Sequence, residues 1–311
     1  MDLKQLEYFV HVAELGSFTK ASDLLGIAQS ALSRHVRKLE VELGQNLLHR
    51  DGRGVSPTEA GKRLLSHGHG ILLQVQRAHQ EVADVRGAPI GNVVIGLPHS
   101  LGRILTVPFV SEFQRAFPHA QLSITEGLTI HLHEWLKAGR LDISVLHDPV
   151  PSPSIETFPL QQDDYFLLCP GMAEGARGKT VQLADLAGYP LILPRRPHPM
   201  RLQLETQLAN LGRKPQVALE IDAVPAIADL VAQGLGYGLV TMNALRVHNG
   251  PAQFSFRRIV SPAMRSTLVL GISAERPLTD LAQKTVEMLR SFIPAHLQQR
   301  QPRPISKTRN S

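Results

Sequence analysis

From Pro57 the chain runs without a strong helix breaker to Gly87-Ala88-Pro89. Within that stretch Leu64, Gly68, Ile71, Val75, Ala78, Val82 and Val85 recur at spacings of 4, 3, 4, 3, 4 and 3, an unbroken heptad seam. Ser56-Pro57-Thr58-Glu59 predicts the start of the helix, with Ser56 as N-cap, Pro57 at the first helical position and Glu59 completing a capping box. A helix of about 30 residues spans roughly 45 Å, longer than a small domain is wide. That length favours a dimerising linker helix over one packed within a small domain. Leu64, Ile71, Val75, Ala78, Val82 and Val85 are read as a dimerisation surface, and Gly68 and Ala78 let a partner come close. The competing reading is a helix packed wholly on its own domain.

Short helices precede the rod. Leu3, Leu6, Val10 and Ala13 recur at helical spacing. Gly16 breaks the pattern and Ser17 caps a second helix, which buries Ala21, Leu24 and Leu25 and stops at Gly26. A third helix from about Gln29 to Leu43 carries the apolar stripe Leu32, Val36, Leu39 and Leu43. Two short helices joined through Gly26 form a helix-turn-helix signature. Asp51-Gly52 between short flanking segments predicts a hairpin, and so a small β-wing.

Behind the rod the texture changes to alternating strands and helices, the mark of parallel α/β units. Predicted strands fall at Asn92–Leu97, Gln121–Glu126 and Leu141–Leu146, with helices at Leu101–Phe117 and Ile130–Ala138. After a proline-rich passage from Pro149 to Pro159 the pattern resumes. Strands are expected at Tyr165–Cys169, Pro190–Leu193, Val217–Ile221, Tyr237–Val240 and Thr267–Ile272. Helices are expected at Pro199–Leu211, Val224–Gln233 and Leu278–Phe292. Two lobes of this kind form a clamshell around a small molecule. The expected domains are 1–58, a winged helix-turn-helix; 59–89, a linker helix; and 90–300, an effector-binding unit. Within that unit one lobe takes about 91–161 and 267–295 and the other about 162–266.

Charge separates the ends of the chain from its middle. Residues 1–90 and 91–293 each carry a net +1, whereas 294–311 carry +4, so most of the overall +6 lies in a basic tail read as disordered over 301–311. Bulk charge is thus poor evidence for nucleic-acid binding, and the placement of charge on one element is better. The one cysteine, Cys169, excludes an internal disulfide and a multi-cysteine zinc site. No apolar run reaches the length a membrane helix needs, and the charged start resembles no signal peptide. A cytoplasmic protein is expected.

The third helix opposes its apolar stripe with Gln29, Ser30, Ser33, Arg34 and Arg37, and no carboxylate appears before Glu40. Arginine binds guanine bidentately, glutamine suits adenine, and serine suits phosphate or either base. The start of a recognition helix meets the bases, and an Arg53 at the wing tip fits the adjacent minor groove. Thr19, Gln29, Ser30, Ser33, Arg34, Arg37 and Arg53 are the candidate contacts to double-stranded DNA.

This order of residues resembles the LysR-type transcriptional regulators. The resemblance is carried by Leu6-Glu7-Tyr8-Phe9-Val10, by Gly16-Ser17-Phe18-Thr19-Lys20-Ala21-Ser22, and by the run from Leu24 through Gln29 to Arg34. It continues in Pro57-Thr58-Glu59-Ala60-Gly61, Gly139-Arg140-Leu141-Asp142 and Gly234-Leu235-Gly236-Tyr237-Gly238, covering roughly residues 1–295. Gly54 to Gly61 and Ile27 to Ser33 lean toward the nitrogen-assimilation-control branch. The resemblance implies a dimerising linker helix, a periplasmic-binding-protein-like effector domain and commonly a homotetramer on DNA. It supports base or phosphate contact by Gln29, Ser30, Ser33 and Arg34, and wing contact by Arg53. Ala28 departs from the usual Ser or Thr, so the third helix lacks a side-chain cap, at a typical cost of about 1 kcal/mol.

An effector pocket belongs between the lobes, at strand C-termini and helix N-termini. Ser100 follows the first strand, Thr129 heads a helix, His147 follows the third strand, and Arg195 and Arg196 follow a strand of the other lobe. This layout fits a small anionic metabolite. Other signals carry less. Gly234 to Gly238 follows a helix and precedes a strand, the wrong order for a dinucleotide loop. His131 and His133 lie on different faces of a helix, so no metal site is expected, and no catalytic constellation or cofactor motif is found. The chain is therefore read as an effector-controlled, sequence-specific DNA-binding regulator working as a homodimer or homotetramer on an imperfect dyad, with RNA polymerase as a further partner and no membrane. The rivals are a constitutive regulator whose lobes serve only assembly, an enzyme with a helix-turn-helix appendage, and a solute-binding protein.

Overall fold

The computed structural model describes residues 1–51, 54–83, 91–171, 179–245 and 254–299. Three helices open the chain: α1 (Leu3–Leu15), α2 (Phe18–Leu25) and α3 (Gln29–Leu43). Asp2 caps α1 by accepting from the Gln5 N–H, and Gln5 returns a side-chain bond to the Asp2 N–H. Ser17 caps α2 by accepting from Lys20 N–H at 3.3 Å. Gly26 ends α2 at φ 65°, the left-handed backbone on which the helix-turn-helix turn depends. Phe9, Val10, Ala21, Leu32, Val36, Leu39 and Leu47 form the core of this unit.

Three residues expected in that core lie outside it: Leu3, Leu24 and Leu43 are 47%, 63% and 41% exposed. Leu3 and Leu43 sit in the terminal turns of their helices, beyond the reach of the neighbours that cover the middle. Leu24 lies off the narrow seam that Ala21 and Leu25 make on an eight-residue helix. Glu40 goes the other way. Its buried carboxylate accepts the N–H groups of Leu47 and Leu48 at 3.0 and 3.3 Å and so fixes how the wing leaves α3.

The wing is an antiparallel pair, β1 (Leu48–Asp51) and β2 (Gly54–Pro57). Its root is tied to the helices by Val55 N–H donating to Gly16 C=O at 2.9 Å. Pairing runs through Leu48 and Pro57, so Ser56 and Pro57 are strand residues. The expected cap therefore moves: α4 (Glu59–Ala83) begins two residues later, and Thr58 caps it by accepting from Gly61 N–H at 3.0 Å while donating to Asn46 C=O.

The remainder is α/β. In chain order come β3 (Gly91–Pro98), α5 (His99–Ala116), β4 (Ala120–Gly127), α6 (Thr129–Lys137) and β5 (Ile143–His147). Next are β6 (Ile155–Pro170), β7 (Thr180–Gln182), β8 (Pro190–Leu193), α7 (Pro199–Ala209), β9 (Gln216–Glu220) and α8 (Val224–Ala232). Last are β10 (Tyr237–Thr241), α9 (Met242–Leu245), β11 (Phe254–Val260), β12 (Arg265–Ser273) and α10 (Asp280–Gln299). The strands follow the order β4-β3-β5-β12-β6-β10-β8-β9, with β11 against β6 and β7. The first lobe gathers β3, β4 and β5 in parallel with β12 antiparallel, packed on α5 and α10 through Ile95, Phe109, Phe113, Leu289 and Phe292. The second gathers β8, β9 and β10 around Leu191, Leu193, Leu204 and Leu239.

One expectation changes here. Tyr165–Cys169 is not a separate strand after a proline-rich loop; β6 begins at Ile155 and serves both lobes. Its first part pairs with β12, and from Tyr165 it pairs with β10, joined by β11 from Phe166. Pro159 is tolerated because the β12 register shifts beside it, between Leu268 and Val269. After α8, Gly234 (φ 77°) and Gly236 (φ 156°) carry the turn into β10, and a Cβ on Gly236 would sit 2.8 Å from Pro190 C=O. That stretch is a helix-to-strand turn.

Candidate DNA-binding face and ligand cleft

Gln29, Ser30 and Arg34 are exposed on the outer face of α3, with Ser33 half-exposed among them. Ala28 makes no side-chain cap, and Ala31 N–H already donates to Ala28 C=O at 2.9 Å, so the Gln29 and Ser30 N–H groups are the ones left open to an anion. Arg34 has no carboxylate partner among the described residues. Arg37 differs, since its guanidinium reaches Glu40 at 3.4 Å and the Asn46 side chain at 3.2 Å. Thr19 is exposed on α2. Arg53 lies outside the described residues.

The structure adds Arg50 to this face. Its guanidinium lies 4.6 Å over the Phe18 ring and donates to Ser33 Oγ at 3.3 Å. The sequence signal was strand alternation: Arg50 follows the buried Leu48 by two residues, which turns it toward the helices.

The seam of α4 is divided. Leu64 packs with the core of its own winged unit, and a Cβ on Gly68 would sit 2.9 Å from Val10 of α1. These two positions serve the chain's own α1 rather than a partner, because α1 crosses the rod there. Ile71 and Ala78 are exposed and Val75 half-exposed, all three along an open groove. Nothing is described of the Val82 side chain, and Val85 lies outside the described residues. Beyond the groove, α4 meets the first lobe. A Cβ on Gly70 would run into Ala138 C=O, just after α6. Arg77 pairs with Asp142 at 2.5 Å with both side chains buried, and Asp142 also accepts from Val94 N–H at 2.7 Å. Burial pushes the Asp142 carboxyl up against the pull of Arg77.

Between the lobes lies a cavity of about 860 Å³ whose lining includes Ser100, Thr129, His147, Arg195 and Arg196, the five positions expected there. Thr129 Oγ1 accepts from His147 N–H at 3.3 Å, and Ser100 Oγ lies 3.4 Å from His147 Nε2. On its other side His147 Nδ1 meets Ser266 Oγ at 3.1 Å, and Ser266 Oγ donates to Asp148 at 2.9 Å. Burial, and then the nearby His198, pull the His147 imidazole down to about 4.

The two arginines each meet a carboxylate. Arg195 makes a two-pronged contact to Asp222, with Nε and Nη2 each 3.0 Å from Oδ2, and its backbone N–H reaches Oδ1 at 2.9 Å. These contacts hold the Asp222 carboxyl below its usual range. Arg196 is paired with Glu205 at 2.9 Å. Each guanidinium thus has a carboxylate partner, 27 residues away for Arg195 and nine for Arg196, while both side chains stay largely exposed, at 70% and 67%. His198, which the sequence reading passed over, caps α7 by accepting from Met200 N–H on Nδ1 at 3.3 Å and lines the same cleft. His131 stacks on Trp135, whereas burial holds His133 below its usual value. Cys169 is half-buried in β6, and burial pushes its thiol up.

A winged helix-turn-helix joined by a long helix to a two-lobed α/β unit with a cleft defines a ligand-responsive DNA-binding regulator. Residues 3–62 match the family description "Bacterial regulatory helix-turn-helix protein, lysR family", and residues 86–293 match "LysR substrate binding domain". The chain belongs to the LysR family of transcriptional regulators. It is 34% identical over 298 residues to the nitrogen assimilation regulatory protein nac of Klebsiella aerogenes, covering 94% of this chain and 95% of that one. The nac protein of Escherichia coli K12 is 32% identical over 298 residues, with the same coverage. These similarities support the nitrogen-assimilation-control-like branch. The structure of CbnR, a LysR family regulator, superposes with a TM-score of 0.68 at 25% identity, covering 94% of this chain and 99% of CbnR. CbnR has also been solved with its target DNA, at the same TM-score. A full-length OxyR variant from Pseudomonas aeruginosa shares the fold at a TM-score of 0.71 and 24% identity, each chain covered to 94%. These relatives are regulators, not enzymes. No helix among the described residues is long and apolar enough to cross a membrane.

Proposed function

We propose that residues 1–58 read one operator half-site, that 59–89 dimerise the chain, and that 90–300 hold a small effector in the cleft. The observation that carries this reading is the exposed face of α3, where Gln29, Ser30, Ser33 and Arg34 stand without a carboxylate partner and Arg50 joins from the wing. Thr19 and Arg53 flank the face as contacts, and Arg37 acts as a secondary contact from its hold on Glu40 and Asn46. Ser100, Thr129 and His147 face the effector; Arg195 and Arg196 shape the rim through their carboxylate pairs. The protein works in the cytoplasm as a homodimer or homotetramer beside RNA polymerase. In keeping with its nac relatives, it controls genes of nitrogen metabolism.

Coupling follows from α6. Thr129 at its start lines the cleft, and Ala138 just past its end abuts Gly70 of the rod, beside the Arg77–Asp142 pair. A shift of α6 on effector binding therefore moves the rod. Such a shift requires the effector to bind the two arrangements with different affinity.

Genome-fragment selection with the purified protein at about 150 mM salt tests the reading. A dyad motif with half-sites about one helical turn apart is expected. Salt-sensitive retention without a motif would reduce the winged unit to non-specific binding. The dimer has its own test. Val75→Asp puts like charges into the open part of the seam and is expected to weaken self-association by about tenfold or more in sedimentation. An intact dimer would remove the rod from the interface.

A further inference from the structure

The cleft holds two histidines whose proton positions are set by their neighbours. Asp148, fixed by Thr267 N–H at 2.6 Å, can only accept when ionised, so Ser266 spends its hydroxyl proton on it. Ser266 Oγ must then accept from His147 Nδ1, 3.1 Å away. With its single hydroxyl proton on Asp148, Ser266 has none to offer the ring. His147 therefore carries its proton on Nδ1 and turns a bare Nε2, an acceptor, toward Ser100 and the cleft. His198 is the mirror case. Its Nδ1 accepts from Met200 N–H, so the proton sits on Nε2, a donor. His147 ends β5 of the first lobe, and His198 caps α7 of the second. Burial lowers both rings' proton affinity; His198 lowers that of His147 further, whereas Asp222 pulls that of His198 back up.

We propose that the effector is an uncharged hydroxyl compound whose hydroxyl bridges the lobes, donating to His147 Nε2 and accepting from His198 Nε2–H. A carboxylate or an ether fails this test because neither has a proton for His147. The surrounding wall is mostly apolar, with Ile130, Met200 and Ile227 among its residues, so the rest of the molecule is apolar. Arg195 and Arg196 are each already paired with a carboxylate at the rim, which weakens their pull on an anion. Lys137 and Glu134 are exposed on the α6 side of the same cleft. The inference rests on the cleft being the effector site.

Three probes of one size separate the possibilities in ligand-observed NMR on the full-length protein: benzyl alcohol, benzyl methyl ether and benzoate. Benzyl alcohol is expected to bind at least about tenfold more tightly than the other two, the scale of one directed hydrogen bond. His147→Phe and His198→Phe should each erase that preference. Solid-state ¹⁵N spectra of histidine-labelled protein, assigned by difference with His147→Gln and His198→Gln, should show His147 protonated on Nδ1 and His198 on Nε2 at pH 7. Benzoate or the ether binding as well as the alcohol would overturn the inference and leave the cleft as an effector site. The opposite tautomer at either ring would overturn it without any ligand. Failure of all three probes would overturn the cleft reading, and the inference with it.

Discussion

Asp142→Ala is expected to destabilise the protein by about 3–5 kcal/mol, the scale for breaking a buried ion pair by removing one partner. Three losses coincide. The Arg77 guanidinium, 7% exposed, loses its carboxylate. Val94 N–H loses the acceptor at 2.7 Å that ties β3 to the loop before β5. Arg276, close enough for the Arg77 charge to depress its own proton affinity, is left facing that charge with less to balance it. At about 2–4 °C per kcal/mol for a unit of this size, the melting point should fall by roughly 6–20 °C in calorimetry. A fall below about 2 °C would show the pair to be open to water. The double variant Arg77→Met with Asp142→Asn is the control. It removes both charges, keeps an acceptor for Val94 N–H and should recover most of the stability, since a buried pair replaced by matched neutral groups is often near neutral. If it recovers stability but loses the effector response on DNA, the pair belongs to the coupling between α6 and the rod.

That pair shows where a sequence can and cannot be read. The amphipathic helices α1, α3 and α4 were visible because their packing partners recur at helical spacing and glycines stop α1 and α3. The cleft positions were visible because alternating strands and helices put strand ends on one side of the sheet, which placed Ser100, Thr129 and His147 in advance. What stayed hidden was pairing at a distance. Ser266 is 119 residues from His147, and Asp222 is 27 from Arg195. Nothing local marks either as a partner, so the Arg195 guanidinium looked free when it is paired. The strands β7 and β11 were missed: β7 has only three residues and pairs with β11, which in turn lies against β6. The misplaced cap at Ser56 has a similar cause: wing pairing claimed Ser56 and Pro57 before the helix could use them.

Arg34→Ala is expected to cost about 1–3 kcal/mol of operator binding at each half-site, and up to twice that where a dimer holds both. Of the two arginines on α3, Arg34 is the one with no carboxylate partner among the described residues, so no part of its charge is committed before DNA arrives. Arg37 is the internal comparison. It already reaches Glu40 and Asn46, and Arg37→Ala should cost less than about tenfold in affinity while lowering the salt slope by about 1, as for a phosphate contact. Arg50→Ala falls between, since it removes both a cation near the wing and the hold on Ser33. Quantitative footprinting on one selected operator and on single-base variants separates these roles. Loss of discrimination at one base pair in Arg34→Ala, with uniform weakening in Arg37→Ala, is the pattern that the α3 face demands. An unchanged footprint in Arg34→Ala, or base discrimination lost instead in Arg37→Ala, would mean that α3 meets the groove through its later turns. The Gln29 and Ser30 N–H groups after Ala28 would then have no phosphate to meet.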